Sequence, residues 1–375
     1  MLTNKRSVAF YGLATVCLLL YIIFTMTDLH QWGGWLLMLF FGSIAVAFRS
    51  NKTLKGLSFT LVIFAAVSLA MYYPQYFREW NGFKLSGLII PLIQLIMFGM
   101  GTSMSIKDFA GVVKTPKGVV VGVLSQFIIM PAMGFALASL SNFPPEIAAG
   151  IVLVGCSPSG LASNVMSYLA KANLALSITV TAITTLLAPF VTPLLMKLLA
   201  GELVEIDVAK MMWDIIKMII IPIGAGLVFN KLLSGKSDWL DKAMPIVSML
   251  GIAMIITIIT AAGRDNLLTI GPALIGIALI HNLFGYFLGY WSGRLFKMPE
   301  RDCRTIAIEV GMQNAGLASG IAKEMGKIAT VGLAAAVFGP LMNITGSTLA
   351  SWWHNRQPET DKQESGKEAI PVAEN

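Results

Sequence analysis

Twelve runs of apolar residues, each about as long as a bilayer is thick, divide this chain of 375 residues. A helix rises about 1.5 Å per residue, so a hydrocarbon core of about 30 Å requires roughly 20 apolar residues. Charged residues make up only 13% of the chain, against about 25% in a typical soluble domain. The pattern excludes a soluble protein and predicts an all-α polytopic membrane protein. The predicted helices are 8–27, 32–48, 56–74, 86–104, 118–138, 147–169, 173–197, 211–230, 243–262, 271–293, 304–322 and 329–352.

The basic residues fall mainly in the loops on one side of these helices. Lysine and arginine in short loops mark the cytoplasmic side, and placing the N-terminus inside puts most of the 27 lysines and arginines there. The opposite loop 201–208 carries Glu202, Glu205 and Asp207. We therefore predict a multi-pass protein of the cell (inner) membrane with cytoplasmic N- and C-termini. The net charge of +7 then reflects topology, and no nucleic-acid partner is expected.

Two local features have a second interpretation. Lys5 and Arg6 precede the first apolar run, as in a signal peptide. That run is about 20 residues long and no small-residue cleavage site follows it, so it predicts a first membrane helix. Cys17, Cys156 and Cys303 are widely spaced, which favours neither a disulfide framework nor a metal cluster.

A short motif occurs twice. The sequence Gly-Leu-Ala-Ser at 160–163 recurs at 316–319, a shift of 316 − 160 = 156 residues. The same shift places the five predicted helices between 56 and 197 on the last five predicted helices. Because five is an odd number, the second copy is predicted to cross the membrane in the opposite direction. Inverted repeats are typical of secondary transporters, whose binding sites lie near the membrane midplane between the repeats.

Glu309 is the only charged residue in the apolar run from Thr305 to Ala322. A carboxylate within the membrane is costly unless something pairs with it, and such a residue is a functional candidate. Gln313 lies one helical turn later and shares a face with Glu309. Asn314 and Gly316 follow, which predicts an interrupted helix whose freed carbonyls face a cation.

The matching stretch 157–164 contains a proline and a glycine in mid-span, which predicts a second interrupted helix. The spans contain almost no basic residue, and His281 is the main side chain that could pair with Glu309 instead of an ion. One carboxylate among hydroxyl and amide oxygens indicates a hard monovalent cation, with a proton as the runner-up. The N-termini of two half-helices favour an anion. The combination suggests co-transport of an organic anion with the cation.

Three motifs resemble those of the bile acid:sodium symporter family, and the resemblance covers roughly 50–353. They are Gly-Cys-Ser-Pro-Ser-Gly-Leu-Ala-Ser-Asn-Val at 155–165, Ala-Leu-Ser-Ile-Thr-Val-Thr at 175–181 and Glu-Val-Gly-Met-Gln-Asn at 309–314. The resemblance implies a panel domain, a core domain with two crossed broken helices, and transport by alternating access. Bacterial members have ten helices, so this chain resembles a bacterial member with two additional N-terminal helices. The implied panel helices are 56–74, 86–104, 211–230 and 243–262.

The resemblance also implies three sets of ligands. The first sodium site would use Ser163, Asn164, Ser177, Thr181 and Glu309. The second sodium site would use the side chains of Gln126, Glu309 and Gln313 and the carbonyls of Val310 and Met312. The substrate site would use Gly160, Leu161, Asn314, Gly316 and Asn343.

The substrate set departs from the family pattern at two places. The family commonly has a threonine where this chain has Leu161, and a histidine where it has Met342. Both changes replace a polar group by an apolar one. They imply that the preferred substrate differs from that of other members.

The sequence thus predicts a sodium-coupled symporter of an organic anion, either bile-acid-like or a small carboxylate such as pantoate or a keto acid. The alternative is a proton-coupled organic anion exporter on the same scaffold. The predicted units are two additional helices in 1–50, a symporter domain in 51–353 with repeats at 56–198 and 211–353, and a disordered cytoplasmic tail in 354–375. The spans show no nucleophile–base pair, so no enzyme is predicted. The expected partners are sodium ions, the anion and the lipid bilayer, with no other cofactor and no obligate protein partner.

Overall fold

The computed structural model describes residues 2–50, 55–104, 116–232 and 238–356. Most of these residues are helical. A π-helical segment, Ile216–Ile220, joins α10 to α11, and an antiparallel hairpin of β1 (Glu79–Trp80) and β2 (Phe83–Lys84) follows α4. The α-helices are α1 (Leu2–Thr25), α2 (Gly33–Arg49), α3 (Ser58–Tyr72), α4 (Gln75–Arg78), α5 (Ile89–Ser103), α6 (Pro116–Leu140), α7 (Pro145–Cys156), α8 (Ala162–Leu169), α9 (Leu174–Ala200), α10 (Val208–Ile215), α11 (Ile221–Leu232), α12 (Asp238–Ala262), α13 (Arg264–Leu295), α14 (Glu300–Gly311), α15 (Ala315–Glu324) and α16 (Val331–His354).

The predicted all-α membrane architecture is confirmed. Eight helical segments among the described residues are long and apolar enough to cross a membrane. Two further predicted spans correspond to α3 and α12. The predicted span 147–169 is divided into α7 and α8, and the predicted span 304–322 is divided into α14 and α15. Both predicted interruptions are therefore present.

Helix bounds differ from the predicted ones at several ends. Helix α1 begins at Leu2 rather than at residue 8, and α13 begins at Arg264 rather than at residue 271, because polar residues continue the backbone hydrogen bonding past the apolar run. The π-helical segment between α10 and α11 was not predicted, since one inserted residue leaves little trace in hydropathy. Most of the predicted disordered tail, 357–375, lies outside the described residues.

The helices that the resemblance assigns to the panel pack on one another. Helix α12 packs against α3 and α5, and α5 packs against α11. A Cβ atom at Gly101 of α5 would lie 2.3 Å from the Ile223 carbonyl oxygen of α11, so glycine permits this close approach. The two N-terminal helices attach through α3, where Gly33 and Gly34 of α2 lie against the Tyr72 ring. The division into domains stays a prediction.

The remaining long helices surround the two interruptions. Helices α6, α9, α13 and α16 pack against the half-helices α7 and α14 or against each other. Shifted by 156 residues, α7, α8 and α9 would occupy 301–312, 318–325 and 330–356, each bound within three residues of α14, α15 and α16. The inverted orientation of the two copies stays a prediction.

Candidate ion and substrate site

The two interrupted helices meet at their breaks. The segments between the half-helices pair as an antiparallel bridge of Ser159 with Gln313. The Gly160 N–H donates to the Met312 carbonyl at 2.9 Å, and the N–H of the residue after Gln313 donates to the Pro158 carbonyl at 2.8 Å. An unpaired backbone group costs several kcal/mol within a bilayer. Mutual pairing therefore allows both helices to be interrupted at the same depth.

Gly160 is required by this crossing. A Cβ atom there would lie 2.6 Å from the Gln313 carbonyl oxygen, closer than real Cβ atoms approach. Gly316 differs, because a Cβ atom would meet only the Asn314 Oδ1 atom at 3.4 Å, an ordinary contact. Of the two glycines predicted in the substrate set, Gly160 thus has a structural role of its own.

Two amide side chains bind carbonyls that the breaks leave free. The Gln126 Nε2 of α6 donates to the Ser157 carbonyl at 2.9 Å, just after α7. The Asn282 Nδ2 of α13 donates to the Gly311 carbonyl at 2.8 Å, at the last residue of α14. These amides stand at equivalent positions of the predicted repeats, because 282 − 126 = 156. Each repeat therefore stabilises its own break with an amide from the preceding long helix.

Glu309 is fully buried and is surrounded by oxygen atoms from α8 and α9. Its Oε1 atom accepts hydrogen bonds from the Ser163 Oγ at 2.6 Å and the Ser177 Oγ at 2.5 Å. Its Oε2 atom accepts from the Thr181 Oγ1 at 2.8 Å. The Asn164 Oδ1 lies 2.8 Å from the Ser177 Oγ and 3.3 Å from the Thr181 Oγ1. The structure thus brings together all five residues predicted for the first sodium site.

The five side chains make more oxygen–oxygen contacts than they have hydroxyl protons to share. Five such contacts are described above, and a sixth, of 3.2 Å, joins the Ser163 and Thr181 hydroxyls. With the Asn164 amide oxygen facing the hydroxyls, the three hydroxyl groups have three protons for the six contacts. The remaining contacts place oxygen lone pairs against each other. A small cation among these oxygens relieves that repulsion and balances the carboxylate, so the donor set fits an alkali ion.

The residues predicted for the second sodium site are close together but bind mainly one another. The Gln126 Nε2 donates to the Gln313 Oε1 at 2.7 Å, and the Gln313 Nε2 donates to the Val310 carbonyl at 2.6 Å. The Met312 carbonyl accepts the N–H of Gly160. The Glu309 carboxylate, by contrast, faces the hydroxyls of α8 and α9. The second ligand set therefore stays a prediction, with its side chains adjacent but hydrogen-bonded to each other.

The predicted substrate residues lie at the starts of the half-helices and on α16. Leu161 precedes α8 and gives it no side-chain cap, whereas the Asn314 Oδ1 caps α15 by accepting the Leu317 N–H at 2.9 Å. Asn343 is half-buried on α16. The structure thus places an apolar side chain at one helix start and an amide at the other.

His281, the side chain that the sequence suggested as an alternative partner of Glu309, contacts other residues instead. The His281 Nε2 lies 3.0 Å from the Met130 carbonyl, and its ring packs edge-on against Phe338 with the centroids 5.7 Å apart. Within the part of the chain that the structure describes, no ion pair includes Glu309. The idea of a histidine–glutamate pair is therefore wrong, and His281 instead joins α13 to α6.

Comparison with known proteins identifies the scaffold. The model of the sodium bile acid symporter family matches residues 90–270. The uncharacterized sodium-dependent transporter YocS of Bacillus subtilis (strain 168) is 38% identical over 309 residues, which are 82% of this chain and 94% of that protein. The chain belongs to the sodium bile acid symporter family.

Plant members of the family are also similar to this chain. The probable chloroplastic sodium/metabolite cotransporter BASS1 of Arabidopsis thaliana is 30% identical over 267 residues, covering 71% of this chain and 67% of that protein. The probable chloroplastic cotransporter BASS6 of the same plant is 31% identical over 309 residues, covering 80% and 75%. The similarity extends well beyond the region that the family model matches. The protein is thus a multi-pass membrane protein of a family of sodium-dependent transporters.

Ser159 lies at the crossing but was not predicted to belong to any of the three ligand sets. The Ser159 Oγ donates to the Glu309 carbonyl at 3.0 Å and lies 3.4 Å from the Gln126 Oε1. It therefore joins the two predicted ligand sets. The signal in the sequence was its place between a proline and a glycine in a span already predicted to be interrupted.

Proposed function

We propose that this protein is a symporter that couples sodium to the transport of an organic anion across the cell membrane. The observation that carries the proposal is the fully buried Glu309 carboxylate within an all-oxygen cluster that has too few protons for its contacts. A buried charge without a counter-charge costs several kcal/mol. Sodium supplies that charge and is favoured by oxygen ligands.

A monovalent ion fits better than a divalent one. Among the described residues, no group of three or more histidine, cysteine, aspartate or glutamate side chains could hold a metal ion. One carboxylate balances one positive charge, whereas Ca²⁺ sites typically combine several carboxylates. The names of the relatives, a sodium-dependent transporter and sodium/metabolite cotransporters, support the same ion.

The substrate is proposed to bind at the starts of α8 and α15. Helix N-termini present free N–H groups and a partial positive charge, which favour an anionic group. Helix α8 begins beside Leu161 and α15 begins beside Asn314. The apolar Leu161 suits an anion with an apolar body, and Asn314 supplies a polar contact.

Ion and anion are coupled because they share the same backbone segments. The segment before α8 carries both Ser159, which contacts the main chain of Glu309, and Gly160, which pairs with Met312. An ion that orders these segments also holds the N-terminal ends of α8 and α15 in the positions where the anion is proposed to bind. Reciprocal coupling then requires that each ligand bind more tightly when the other is present. Movement of the crossed helices against the group formed by α3, α5, α11 and α12 is proposed to expose the site alternately to each side, with both termini cytoplasmic.

Uptake into proteoliposomes tests the proposal. The purified full chain is assayed with inward sodium gradients, or with choline in place of sodium at the same pH, using radiolabelled candidates chosen after a thermal-shift screen. The screen includes a steroid conjugate, pantoate and small keto acids, each with and without sodium. Sodium-dependent stabilisation and uptake of at least one anion are expected. Uptake driven by a pH gradient and indifferent to sodium would support the proton-coupled exporter instead.

A further inference from the structure

A large groove lies away from the crossing, between α13 and α16. Its volume is about 1600 Å³, larger than the 300–1,000 Å³ typical of small-molecule pockets. Residues of both helices line it, together with Lys171 from the loop after α8. None of the residues predicted for the ion or substrate sites lines it. The groove is therefore a candidate site for a ligand other than the ion and the transported anion.

The walls of the groove are apolar along the helices. Leu283 and Phe287 of α13 stand one turn apart with 48% and 57% of their surface exposed, and Ile344 and Leu349 of α16 face the same cavity. The floor is closed, because the Tyr286 hydroxyl donates to a carbonyl of α16 at 3.2 Å. A hydrocarbon chain is the kind of molecule that such walls accommodate within a bilayer.

One end of the groove is basic. Lys171, Arg294, Arg304 and Arg356 line it there, with Glu300 as the acidic residue of the lining. Glu300 is engaged by Arg304 at 2.9 Å and by Arg294 at 3.6 Å. Among the described residues, no carboxylate forms an ion pair with Lys171 or Arg356. Two cations are thus left to attract a negative group, on the side that the charge distribution predicts to be cytoplasmic.

Aromatic residues mark this end as the membrane interface. The Arg356 guanidinium lies 4.0 Å from the centre of the half-exposed Trp352 ring, and Tyr290 stacks on Trp353. Tryptophan and tyrosine are enriched at the headgroup level. Arg294 lies 294 − 283 = 11 positions after Leu283, which corresponds to about 16 Å of helix. That length matches one leaflet, about half of a 30 Å hydrocarbon core.

We propose that this groove binds one anionic phospholipid, with an acyl chain along α13 and α16 and the phosphate between Lys171 and Arg356. The apolar walls run for one leaflet, and the cations stand where a headgroup would lie. Basic pockets between membrane helices on the cytoplasmic side are suited to anionic headgroups. A zwitterionic lipid fits the walls equally well but gains less from the two cations.

Native mass spectrometry of the full chain, delipidated in detergent, tests the proposal. Phosphatidylglycerol and phosphatidylcholine with the same acyl chains are titrated separately. One phosphatidylglycerol per chain is expected to bind roughly 25-fold more tightly than phosphatidylcholine, about fivefold for each cation. Equal affinity of the two lipids would overturn the proposal.

Matched variants separate the groove from general attraction to a charged surface. The double variant Lys171→Gln/Arg356→Gln should lose the preference for phosphatidylglycerol over phosphatidylcholine. The control variant Lys84→Gln/Lys197→Gln should retain it, because these exposed lysines lie at the ends of other elements. Thr348→Trp should fill the groove and weaken both lipids, whereas Val120→Trp on the exposed face of α6 should not. A helical circular dichroism spectrum and a wild-type unfolding temperature check that each variant is folded.

Two outcomes with these variants would contradict the assignment of the groove to an anionic phospholipid. A preference that survives the loss of Lys171 and Arg356, or binding unaffected by Thr348→Trp, would overturn the assignment. The acidic segment 357–375 is the competing occupant. If that segment fills the groove, the full chain shows no preference and a chain ending at Arg356 acquires one, which also overturns the proposal.

Discussion

Glu309→Gln tests the ion site most directly. The amide has nearly the shape of the carboxylate, and its oxygen can still accept hydrogen bonds from Ser163 and Ser177. The crossing is therefore expected to fold, but the negative charge among the oxygens is gone. If sodium binds as proposed, a concentration 100 times the dissociation constant is expected to stabilise the wild-type protein by about 2.7 kcal/mol. The variant is expected to lose essentially all of this stabilisation.

The order of stability is expected to reverse without sodium. In choline, the wild-type carboxylate has only hydroxyl partners, and a buried uncompensated charge costs several kcal/mol. The neutral amide avoids that cost. The Glu309→Gln variant should therefore unfold at the same temperature as the wild type or higher in choline, and at a lower temperature in sodium.

Thermal unfolding of detergent-purified protein, followed by tryptophan fluorescence at fixed ionic strength, measures both differences. Glu79→Gln is the matched control, because Glu79 is an exposed carboxylate in the β-hairpin and its loss should leave the sodium effect intact. Full sodium-dependent stabilisation of Glu309→Gln would remove Glu309 from the ion site and refute the charge argument.

Three further substitutions examine the neighbouring contacts. Thr181→Val keeps the shape but removes a hydroxyl that contacts the carboxylate, and should weaken sodium binding roughly 10- to 100-fold in thermal-shift titrations, whereas Thr184→Val should not. Gly160→Ala should lower the free energy of unfolding by about 1–3 kcal/mol because its Cβ atom meets a backbone carbonyl, and Gly316→Ala should be close to neutral in the same denaturation assay. Leu161→Thr introduces a hydroxyl at the start of α8 and should change the ratio of affinities between polar and apolar anions roughly fivefold in competition uptake. An unchanged ratio would show that Leu161 does not contact the substrate.

Much of this fold was predictable because the bilayer imposes a simple length rule. Each span needs a long apolar run, so ten of the twelve predicted spans correspond to single stretches of helix and the other two to interrupted helices. Glu309 was identifiable as a candidate site residue for the same reason, since a lone carboxylate in such a run requires an explanation. The interruption at 157–161 was signalled by Pro158 and Gly160.

The partners of these residues were less accessible from the sequence. Ser163, Ser177 and Thr181 are ordinary hydroxyl residues of membrane helices, and only the family motifs singled them out. The contact between Gln126 and Gln313 joins residues 187 positions apart, so no local pattern reveals which way each amide points. The π-helical segment 216–220 also had no signature, because it changes backbone spacing without changing composition.

The proposed ion site depends on the assembled crossing rather than on any one helix. Ser163 belongs to α8 and Thr181 to α9, both in the first predicted repeat, whereas Glu309 belongs to α14 in the second. Three hydrogen bonds join the carboxylate of the second repeat to hydroxyls of the first. In the proposed site, a sodium ion attracts oxygens of both repeats at once and favours the arrangement in which the segments before α8 and α15 pair at the crossing. Without the ion, the buried carboxylate is expected to disfavour that arrangement, and the proposed sodium ion would thereby control the ends of the two half-helices where the anion is proposed to bind.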